Sequence, residues 1–329
     1  MSSDTETLLI TNGDSAVSLM QAAGVEGHFL PWRDVLHDGP VPADLSLDQL
    51  SMVRARYIAE VGWGEPEDVE RGFKDRDRVL KRCRDFQKVE LWFEHDLYDQ
   101  LQILQILDWI AGQQLDGLAV GLICTEQYLG RMTPDTIYTL KLFEQAVTET
   151  QLRLAETGWR AYRSDTPLPW FSLLQRDTSA LPFLGDAVLR TLEEYPDYST
   201  GLSKTEARVL GALRTQVSAP AQLFAHIQNL EPRVYLGDLS FWEILNGLLE
   251  GPKPLINWAV GSGKVTTHNI KQRLKITNTG KLVLEGSKNR LDIYWPARWF
   301  GGVRPNQEFT WCWNTSLQAP QKRHNILNA

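Results

Sequence analysis

The chain has 329 residues, a formal net charge of -7, 43% hydrophobic residues and 12 tryptophans, so it is long enough for two domains with cores of their own. This composition excludes a disordered protein, and no stretch reaches the roughly 18 apolar residues that a membrane helix needs. Its three cysteines (Cys83, Cys124 and Cys312) form no C-x-x-C pair, so neither structural zinc nor a disulfide framework is expected, and we expect a soluble cytoplasmic protein without a membrane partner.

The first predicted element is a short buried strand, Thr7 to Thr11, followed by the turn Asn12-Gly13-Asp14-Ser15 and a helix from Ala16 to Ala23. Backbone N–H groups at the start of such a helix point outward, which favours an anion pocket. An ordinary β–α turn fits these residue types at least as well. The chain contains neither a G-x-G-x-x-G fingerprint nor a P-loop.

A second strand is predicted from His28 to Trp32, and the loop after it carries Arg33, Asp34, His37 and Asp38. Arg33 is suited to clamp a phosphate or carboxylate with two hydrogen bonds, or to pair with a neighbouring aspartate.

Two helices follow this loop. Ser46 and Gln49 form a capping box for a helix that runs to about Val61. Glu65 to Phe86 predicts a second helix, whose interleaved acidic and basic residues are typical of a solvated face.

The stretch Lys88 to Ile110 is the centre of the predicted fold. Val89 to Phe93 favours a buried strand, and the following residues have a helical period with a polar stripe every third residue (Asp99, Gln102, Gln105 and Asp108). The strand–helix junction carries Glu94, His95 and Asp96. Asp96 alone fits a helix N-cap, whereas carboxylates gathered with a histidine at a strand end favour a functional site.

Leu118 to Cys124 predicts another buried strand, with Thr125 to Arg131 beyond its end and a helix that starts at Thr133-Pro134. The alternation of strands and helices predicts a small, doubly wound, mostly parallel sheet of Rossmann-like type. Polar clusters follow four strands. Ligands bind past the carboxyl ends of such strands, so we expect Asn12–Ser15, Arg33–Asp38, Glu94–Asp99 and Thr125–Arg131 to line one shared cleft.

The predicted domain organisation has three parts. An α/β domain spans 1–145, a helical connecting region without evident strands spans 146–200, and a winged-helix-like α+β domain spans 201–329. Residues 201–329 carry sixteen Lys and Arg against eight Asp and Glu, whereas 1–200 carry eighteen against thirty-three, which gives net charges of +8 and -15. A basic half suits phosphate polymers, although two oppositely charged halves also attract each other.

The winged-helix prediction rests on three helices followed by a β-wing and a further helix that starts at Thr277. Ser203 and Glu206 form a capping box at the start of the first of these helices. Phosphate contacts would be made by basic residues of the wing, namely Lys264, Lys271, Arg273 and Lys275. The third helix, Asp238 to Glu250, has no basic residue, so base reading in the major groove is not expected from it, and packing or protein contact is an alternative role for the domain.

The C-terminal segment is rich in aromatic residues, with Trp295, Trp299, Trp311 and Trp313. We interpret it as an aromatic plug that packs the last strands. The alternative is that Arg298 to Arg304 returns to the cleft of the first domain.

Several of these segments together resemble one family, the bacterial proteins grouped as domain of unknown function 1835. The matching elements are Asn12 to Ser15, Trp32-Arg33-Asp34 with Asp38-Gly39-Pro40, Leu91 to Asp96 with Asp99-Gln100, Gly201 to Glu206, Gly237-Asp238 with Phe241-Trp242, Arg298 to Val303, and Trp311-x-Trp313. This chain has Ala297 and Arg304 where we expect an acid and a histidine. The resemblance spans nearly the whole chain and implies no known reaction.

Two functions are compatible with these patterns. The first is binding of a small phosphorylated or nucleotide-like molecule at the strand ends, with hydrolase or transferase activity as its catalytic form. The catalytic candidates are His95, Asp96 and Glu94, and the ligand-binding candidates are Asn12, Gly13, Asp14, Ser15, Arg33, Asp34, His37, Asp38, Asp99 and Arg131. Asp14, Glu94 and Asp99 are candidate ligands for Mg²⁺ or Mn²⁺, because carboxylates suit these ions better than zinc. The alternative is a ligand-responsive regulatory protein that binds DNA or RNA through its winged helix.

Overall fold

The computed structural model describes residues 7–113, 117–216 and 218–325. These residues form two compact units. The first contains the described residues up to Asp165 with Ser172–Ala187 and Gly301–Val303, and the second contains Thr166–Phe171, Val188–Phe300 and the described residues from Arg304 onward. The region 146–200, predicted as a helical connection, is therefore divided between the two units.

The first unit is built on a five-stranded sheet that is parallel except for its last strand. The strands are β1 (Thr7–Thr11), β2 (His28–Pro31), β3 (Lys88–Glu94), β4 (Ala119–Thr125) and β5 (Gln145–Ala146). They lie in the order β2-β1-β3-β4-β5. The central strand of the sheet is β3, which belongs to the stretch predicted as the centre of the fold. The α/β class and the mostly parallel sheet are confirmed. The sequence did not reveal β5, because a two-residue strand has no period to detect.

Six helices accompany this sheet. They are α1 (Asp14–Ala22), α2 (Leu47–Glu60), α3 (Pro66–Lys81), α4 (Leu97–Ala111), α5 (Pro134–Thr139) and α6 (Glu149–Tyr162). Residues of α1 and α5 share one buried cluster with Leu9, Trp92 and Ile123 of the sheet. Helix α4 packs against α6, where a side chain larger than glycine at Gly158 would press on Leu104.

The polar stripe of α4 is buried, which differs from the usual position of polar residues on a helix that covers a sheet. Asp99, Gln102 and Gln105 are each at most 3% exposed. Gln105 Oε1 accepts a hydrogen bond from Trp32 Nε1 (2.9 Å), and Gln102 Nε2 donates to the carbonyl oxygen of Asp34 (3.0 Å). These polar groups are retained inside because they bond to the loop after β2.

Helix α3 is only partly the solvated helix that its charges predicted. Arg71, Lys74 and Arg78 are exposed, but Arg76 and Asp77 are buried and paired with each other (2.8 Å). The guanidinium of Arg76 lies 4.0 Å from the ring centroid of Trp32, so its burial is supported by a cation–π contact as well as by the ion pair.

The second unit is mainly helical, with two small antiparallel sheets. Its complete helices are α9 (Lys204–Thr215), α10 (Pro220–Asn229), α11 (Asp238–Leu249) and α12 (Asn278–Leu284), while α7 (Leu168–Ser172) and α8 (Leu184–Leu192) run across the division between the units. Strands β6 (Ile256–Trp258) and β7 (Leu274–Ile276) pair with each other, as do β8 (Phe309–Asn314) and β9 (Ala319–His324).

Local sequence signals are confirmed where they depend only on neighbouring residues. The capping box of Ser203 and Glu206 is present at α9, and Thr277 caps α12 through the N–H of Gly280 (3.0 Å). The predicted wing is reduced to β6 and β7. Residues 264–268 form no strand, and the N–H of Val265 instead donates to Asn246 Oδ1 (2.7 Å).

Two glycines of the C-terminal segment belong to the first unit. The N–H of Val41 donates to the carbonyl oxygen of Gly301 (2.8 Å), and the N–H of Gly302 donates to that of Tyr162 (3.0 Å). Gly301 has φ 58°, and a Cβ on it would lie 2.4 Å from the Tyr162 carbonyl oxygen, so no other residue fits without strain. The return of this segment to the first unit is thus found for Gly301–Val303.

Candidate functional site

The candidate site lies where β1 and β3 end side by side. These strands are parallel neighbours, and the chain leaves them toward opposite edges of the sheet, β1 toward β2 and β3 toward β4. Such a switch in direction opens a crevice beyond the strand ends, which is the usual ligand position in open α/β sheets. Asn12 follows β1, and Glu94 ends β3.

Asp99 joins the two strand ends. Its Oδ2 accepts hydrogen bonds from Asn12 Nδ2 (3.1 Å) and from the backbone N–H of Glu94. Asp96 caps α4, because its Oδ1 accepts from the N–H of Asp99 (3.2 Å), and the Tyr98 hydroxyl donates to the carbonyl oxygen of Asn12 (3.2 Å). The acidic cap predicted at Asp96 is therefore real, and it does not account for Glu94 or Asp99.

The loops after β4 and β2 reach the same junction. Glu94 Oε1 accepts from the N–H of Leu129 (2.7 Å), which lies in the segment after β4. On the other side, the ring of His37 contacts the ring of Tyr98 edge to face, with centroids 6.0 Å apart. The four segments predicted to converge are thus linked by direct contacts around Glu94–Asp99.

Burial raises the pKa values of the three carboxyls in this cluster, which favours their neutral form. Burial, and then the charge of Glu94, raises the pKa of Asp96 to about 7. Burial, and then the neighbouring Asp96 and Glu94, raises the pKa of Asp99 well above its usual value. Burial also raises the pKa of Glu94, against the opposing effects of Asn12 and Arg131. All three shifts favour the neutral carboxyl over the carboxylate.

His95 is buried in an aromatic setting. Its ring centroid lies 5.2 Å from that of Tyr128 and 5.8 Å from that of Phe183. The guanidinium of Arg131 lies 4.8 Å from the Tyr128 ring centroid. The sequence reasoning missed Tyr128 and Phe183, because neither carries a charge and Phe183 lies far along the chain from the strand ends.

Asp34 and Asp38 belong to a separate group of contacts around Arg54. Asp34 and Arg54 are fully buried and paired, with Nε 2.9 Å from Oδ1. Arg54 also donates to three carbonyl oxygens of the same loop, those of Val35, Asp38 and Pro40. The sequence did not identify Arg54, whose partners all precede it by 14 residues or more.

Asp14 and Arg33 form an exposed pair. Arg33 Nε and Nη2 donate to the two carboxylate oxygens of Asp14 at 2.7 and 2.6 Å. The hydrogen bond from Arg33 lowers the pKa of Asp14. Ser15 of α1 is exposed. A Cβ placed on Gly130 would lie 3.3 Å from the Cβ of Ser15, so the start of α1 adjoins the segment after β4.

The metal hypothesis gains no geometric support. Among the residues that the structure describes, no group of three or more His, Cys, Asp and Glu side chains is arranged to hold a metal ion. The carboxylate of Asp14 is bonded to Arg33, and Asp99 is bonded to Asn12 and to the backbone of Glu94. A Mg²⁺ or Mn²⁺ site made by Asp14, Glu94 and Asp99 stays a prediction.

The basic residues predicted to contact nucleic acid lie around the β6–β7 pair. Lys264, Lys271, Arg273 and Lys275 are all exposed. Lys275 lies within β7 opposite Asn257, whereas the other three lie in the connection between the two strands.

No family model matches this chain, and no curated protein has a similar sequence. None of the helices in the described part of the chain combines the length and apolar character that a bilayer crossing requires.

Proposed function

We propose that the first unit binds a small phosphorylated or nucleotide-like molecule at the β1/β3 switch point and transfers protons to or from it, as a hydrolase or transferase does. The observation that carries this proposal is the buried group of Glu94, Asp96 and Asp99, to which Asn12 after β1 and the N–H of Leu129 after β4 donate hydrogen bonds. Like-charged buried groups with raised pKa values are costly to maintain, and they occur where a protein needs them for chemistry.

The roles follow from protonation and position. With a pKa of about 7, the carboxyl of Asp96 is suited to accept and return a proton near neutral pH, and the charge of Glu94 helps to raise that pKa. His95 is the third candidate for this work. Arg33 and Arg131 supply positive charge for a phosphate, together with the turn Asn12–Ser15.

Isothermal titration with nucleoside phosphates and sugar phosphates, each with and without Mg²⁺ or Mn²⁺, tests this proposal. We expect heat with at least one ligand, reduced at least tenfold in affinity or abolished by His95→Ala. Asp75→Asn, which changes an exposed carboxylate of α3, is the control and should bind as the wild type does. Absence of binding by the wild type to every compound would refute the proposal.

Nucleic-acid binding by the second unit is the second candidate function. It is favoured by one observation: Ser218, between α9 and α10, forms an antiparallel bridge with Leu274 of β7. This single bridge lies beside the two-stranded β6–β7 sheet, and a small sheet that follows three helices supports a winged helix. We propose that a polynucleotide contacts the basic residues Lys264, Lys271, Arg273 and Lys275, and that ligand binding in the first unit regulates this contact.

Two further parts of the prediction remain proposals. Membership of the domain of unknown function 1835 family rests on the motifs alone. A cytoplasmic location rests on composition and on three cysteines that form no C-x-x-C pair. Neither bears on the two tests of function.

A further inference from the structure

Two adjoining clefts lie in the second unit where α10 meets β7. One encloses about 300 Å³ and the other about 280 Å³, and Gln222 and Arg273 line both. The larger is also lined by Thr215, Gln216, Ser218 and His226, and the smaller by Lys271. The shared residues form a wall between two small compartments, of which the larger is mainly polar and the smaller mainly apolar with basic residues among its lining.

Backbone hydrogen bonds fix the frame of these clefts. The N–H of Ser218 donates to the carbonyl oxygen of Leu274 (3.2 Å), and the N–H of Leu274 donates back to that of Ser218 (2.8 Å). The N–H of Ala221 donates to the carbonyl oxygen of Ile270 (3.2 Å). The backbone positions of Lys271 and Arg273 are therefore tied to the start of α10.

Gln222 presents an oriented donor to both clefts. Its Oε1 accepts from the N–H of Ala219 (3.1 Å) and bonds with the Ser218 hydroxyl (3.2 Å). Because the N–H of Ala219 is a donor, the oxygen of the amide must face it, which leaves the Gln222 NH₂ group as the outward donor. A donor whose orientation is already fixed loses little entropy when an anion binds.

The clefts have the charge of an anion site. Among the described residues that line them, none is acidic, while Lys271 and Arg273 are basic and exposed. Residues 201–329 carry a net charge of +8. Neighbouring compartments that share one wall suit an anion that repeats along a chain, and phosphates repeat in this way along a nucleic-acid backbone.

Helix α11, which would read bases in a winged helix, is not available for that role. Phe241, Trp242 and Leu245 are buried in the core of the unit, and the rings of Phe241 and Trp242 contact the Phe224 ring at tilted angles. Its exposed positions are Asp238 and Leu239. The Asp238 carboxylate repels phosphates, and the Leu239 side chain has no hydrogen-bond donor to offer them. Any contact with nucleic acid is thus left to groups that bind the backbone.

We infer that the two clefts bind successive phosphates of a nucleic-acid backbone without regard to base sequence. This inference rests on the second candidate function and adds to it the surface, the chemical group recognised and the lack of base reading. The new elements are the Gln222 donor and the use of α10 with β7 in place of α11.

Fluorescence anisotropy with a short labelled DNA duplex and with a second duplex of scrambled sequence, each over a series of salt concentrations, tests the inference. The test variants are Lys271→Gln with Arg273→Gln, and Gln222→Glu. Glutamate at position 222 keeps an acceptor for the Ala219 N–H but replaces the donor by a carboxylate. Lys253→Gln with Lys288→Gln removes the same charge from exposed positions of the unit outside the cleft lining and is the matched control.

We expect equal affinity for both duplexes and a salt dependence whose log–log slope falls by about 1.8 in the Lys271/Arg273 variant, since each phosphate contact contributes about 0.9. Gln222→Glu should weaken binding at least tenfold, and the control should retain most of the affinity. If the wild type binds no duplex even at low salt, the candidate function itself is refuted.

If the wild type binds but the cleft variants match the control, the function stands and the clefts are not the site. A preference of more than tenfold between the two duplexes would contradict backbone-only recognition. Equal competition by polyglutamate would overturn the assignment to nucleic acid, because only general attraction to an acidic polymer would remain.

Discussion

The first unit contains two groups of buried charged residues that differ in how their charges are balanced. In the group around Arg54, two of the acids have an arginine within reach: Asp34 pairs with Arg54 at 2.9 Å, and Asp77 pairs with Arg76 at 2.8 Å. The remaining donors of Arg54 meet backbone carbonyl oxygens of the loop after β2. A group balanced in this way holds a loop in position.

The group around Asp99 lacks this balance. Glu94, Asp96 and Asp99 are each at most 6% exposed, and Arg131 is the cation that acts on Glu94. Within the described residues, Asp99 Oδ1 has no hydrogen-bond partner. The first group is thus neutralised by its cations, whereas burial and mutual repulsion raise the pKa values of Asp96 and Asp99 in the second, which supports the site proposed there.

The largest effect is expected when the balanced group loses its cation. Arg54→Met should lower the free energy of unfolding by about 3–5 kcal/mol, because Asp34 would remain buried beside Arg76 alone at 3.9 Å. Urea denaturation followed by tryptophan fluorescence measures this cost. Arg78→Met, which breaks an exposed pair, should cost less than about 1 kcal/mol. Equal costs for the two variants would mean that burial does not decide the role of Arg54.

The unbalanced group should respond in the opposite direction. The pKa of Asp96 is raised from its usual 3.8 to about 7 in the folded state. Its carboxyl therefore contributes its full stability at pH values below 3.8, and that contribution is lost as the pH rises through 7. Asp96→Asn removes this loss and keeps the cap, since Asn and Asp cap helices equally well. The variant should match the wild type at pH 4 and exceed it by on the order of 1–4 kcal/mol at pH 8, at about 1.4 kcal/mol per unit of pKa shift.

Thermal unfolding from pH 4 to pH 8 measures this difference, and Asp75→Asn provides the exposed control. A variant that is less stable than the wild type at pH 8 would show that the Asp96 carboxylate is stabilised in the fold. The cluster would then resemble the group around Arg54.

Sequence reasoning succeeded for features that depend on residues close in the chain. The strand ending at Glu94, the helix after it and the caps at Ser203 and Thr277 all lie within a few positions of the expected places. The meeting of four loops was also predictable, because parallel strands align their carboxyl ends.

The partners of buried charged residues could not be predicted. Arg76 lies on a helix whose composition is typical of a solvated face, and no local pattern marked Arg54. Only the three-dimensional fold brings Arg54 to Asp34 and Arg76 to Trp32. Gln105 looked like part of an outer stripe for the same reason. A periodic pattern shows which residues share a face, but it does not show what that face meets.

A smaller effect is expected from a neutral buried hydrogen bond of α4. Gln105→Met should cost about 1–3 kcal/mol, because the Trp32 indole N–H would be left buried without its acceptor. Trp32→Phe removes the donor instead. The double variant should lose less free energy of unfolding than the two single variants lose together, because the bond can be lost only once. If urea denaturation shows that the two costs add, the bond contributes nothing.

The smallest effect on stability is expected at the exposed pair of Asp14 and Arg33, whose side chains are 65% and 60% exposed. Arg33→Ala should cost less than about 1 kcal/mol, and salt should reduce that cost further. Ligand affinity should change much more, and in opposite directions for the two partners. Arg33→Ala removes an anion clamp, whereas Asp14→Asn removes the carboxylate that competes with a phosphate for the guanidinium. Titration of the phosphorylated ligand should therefore show weaker binding in the first variant and tighter binding in the second. A change of the same sign in both would mean that the pair acts as one structural unit, as the group around Arg54 does, and that the phosphate is held elsewhere.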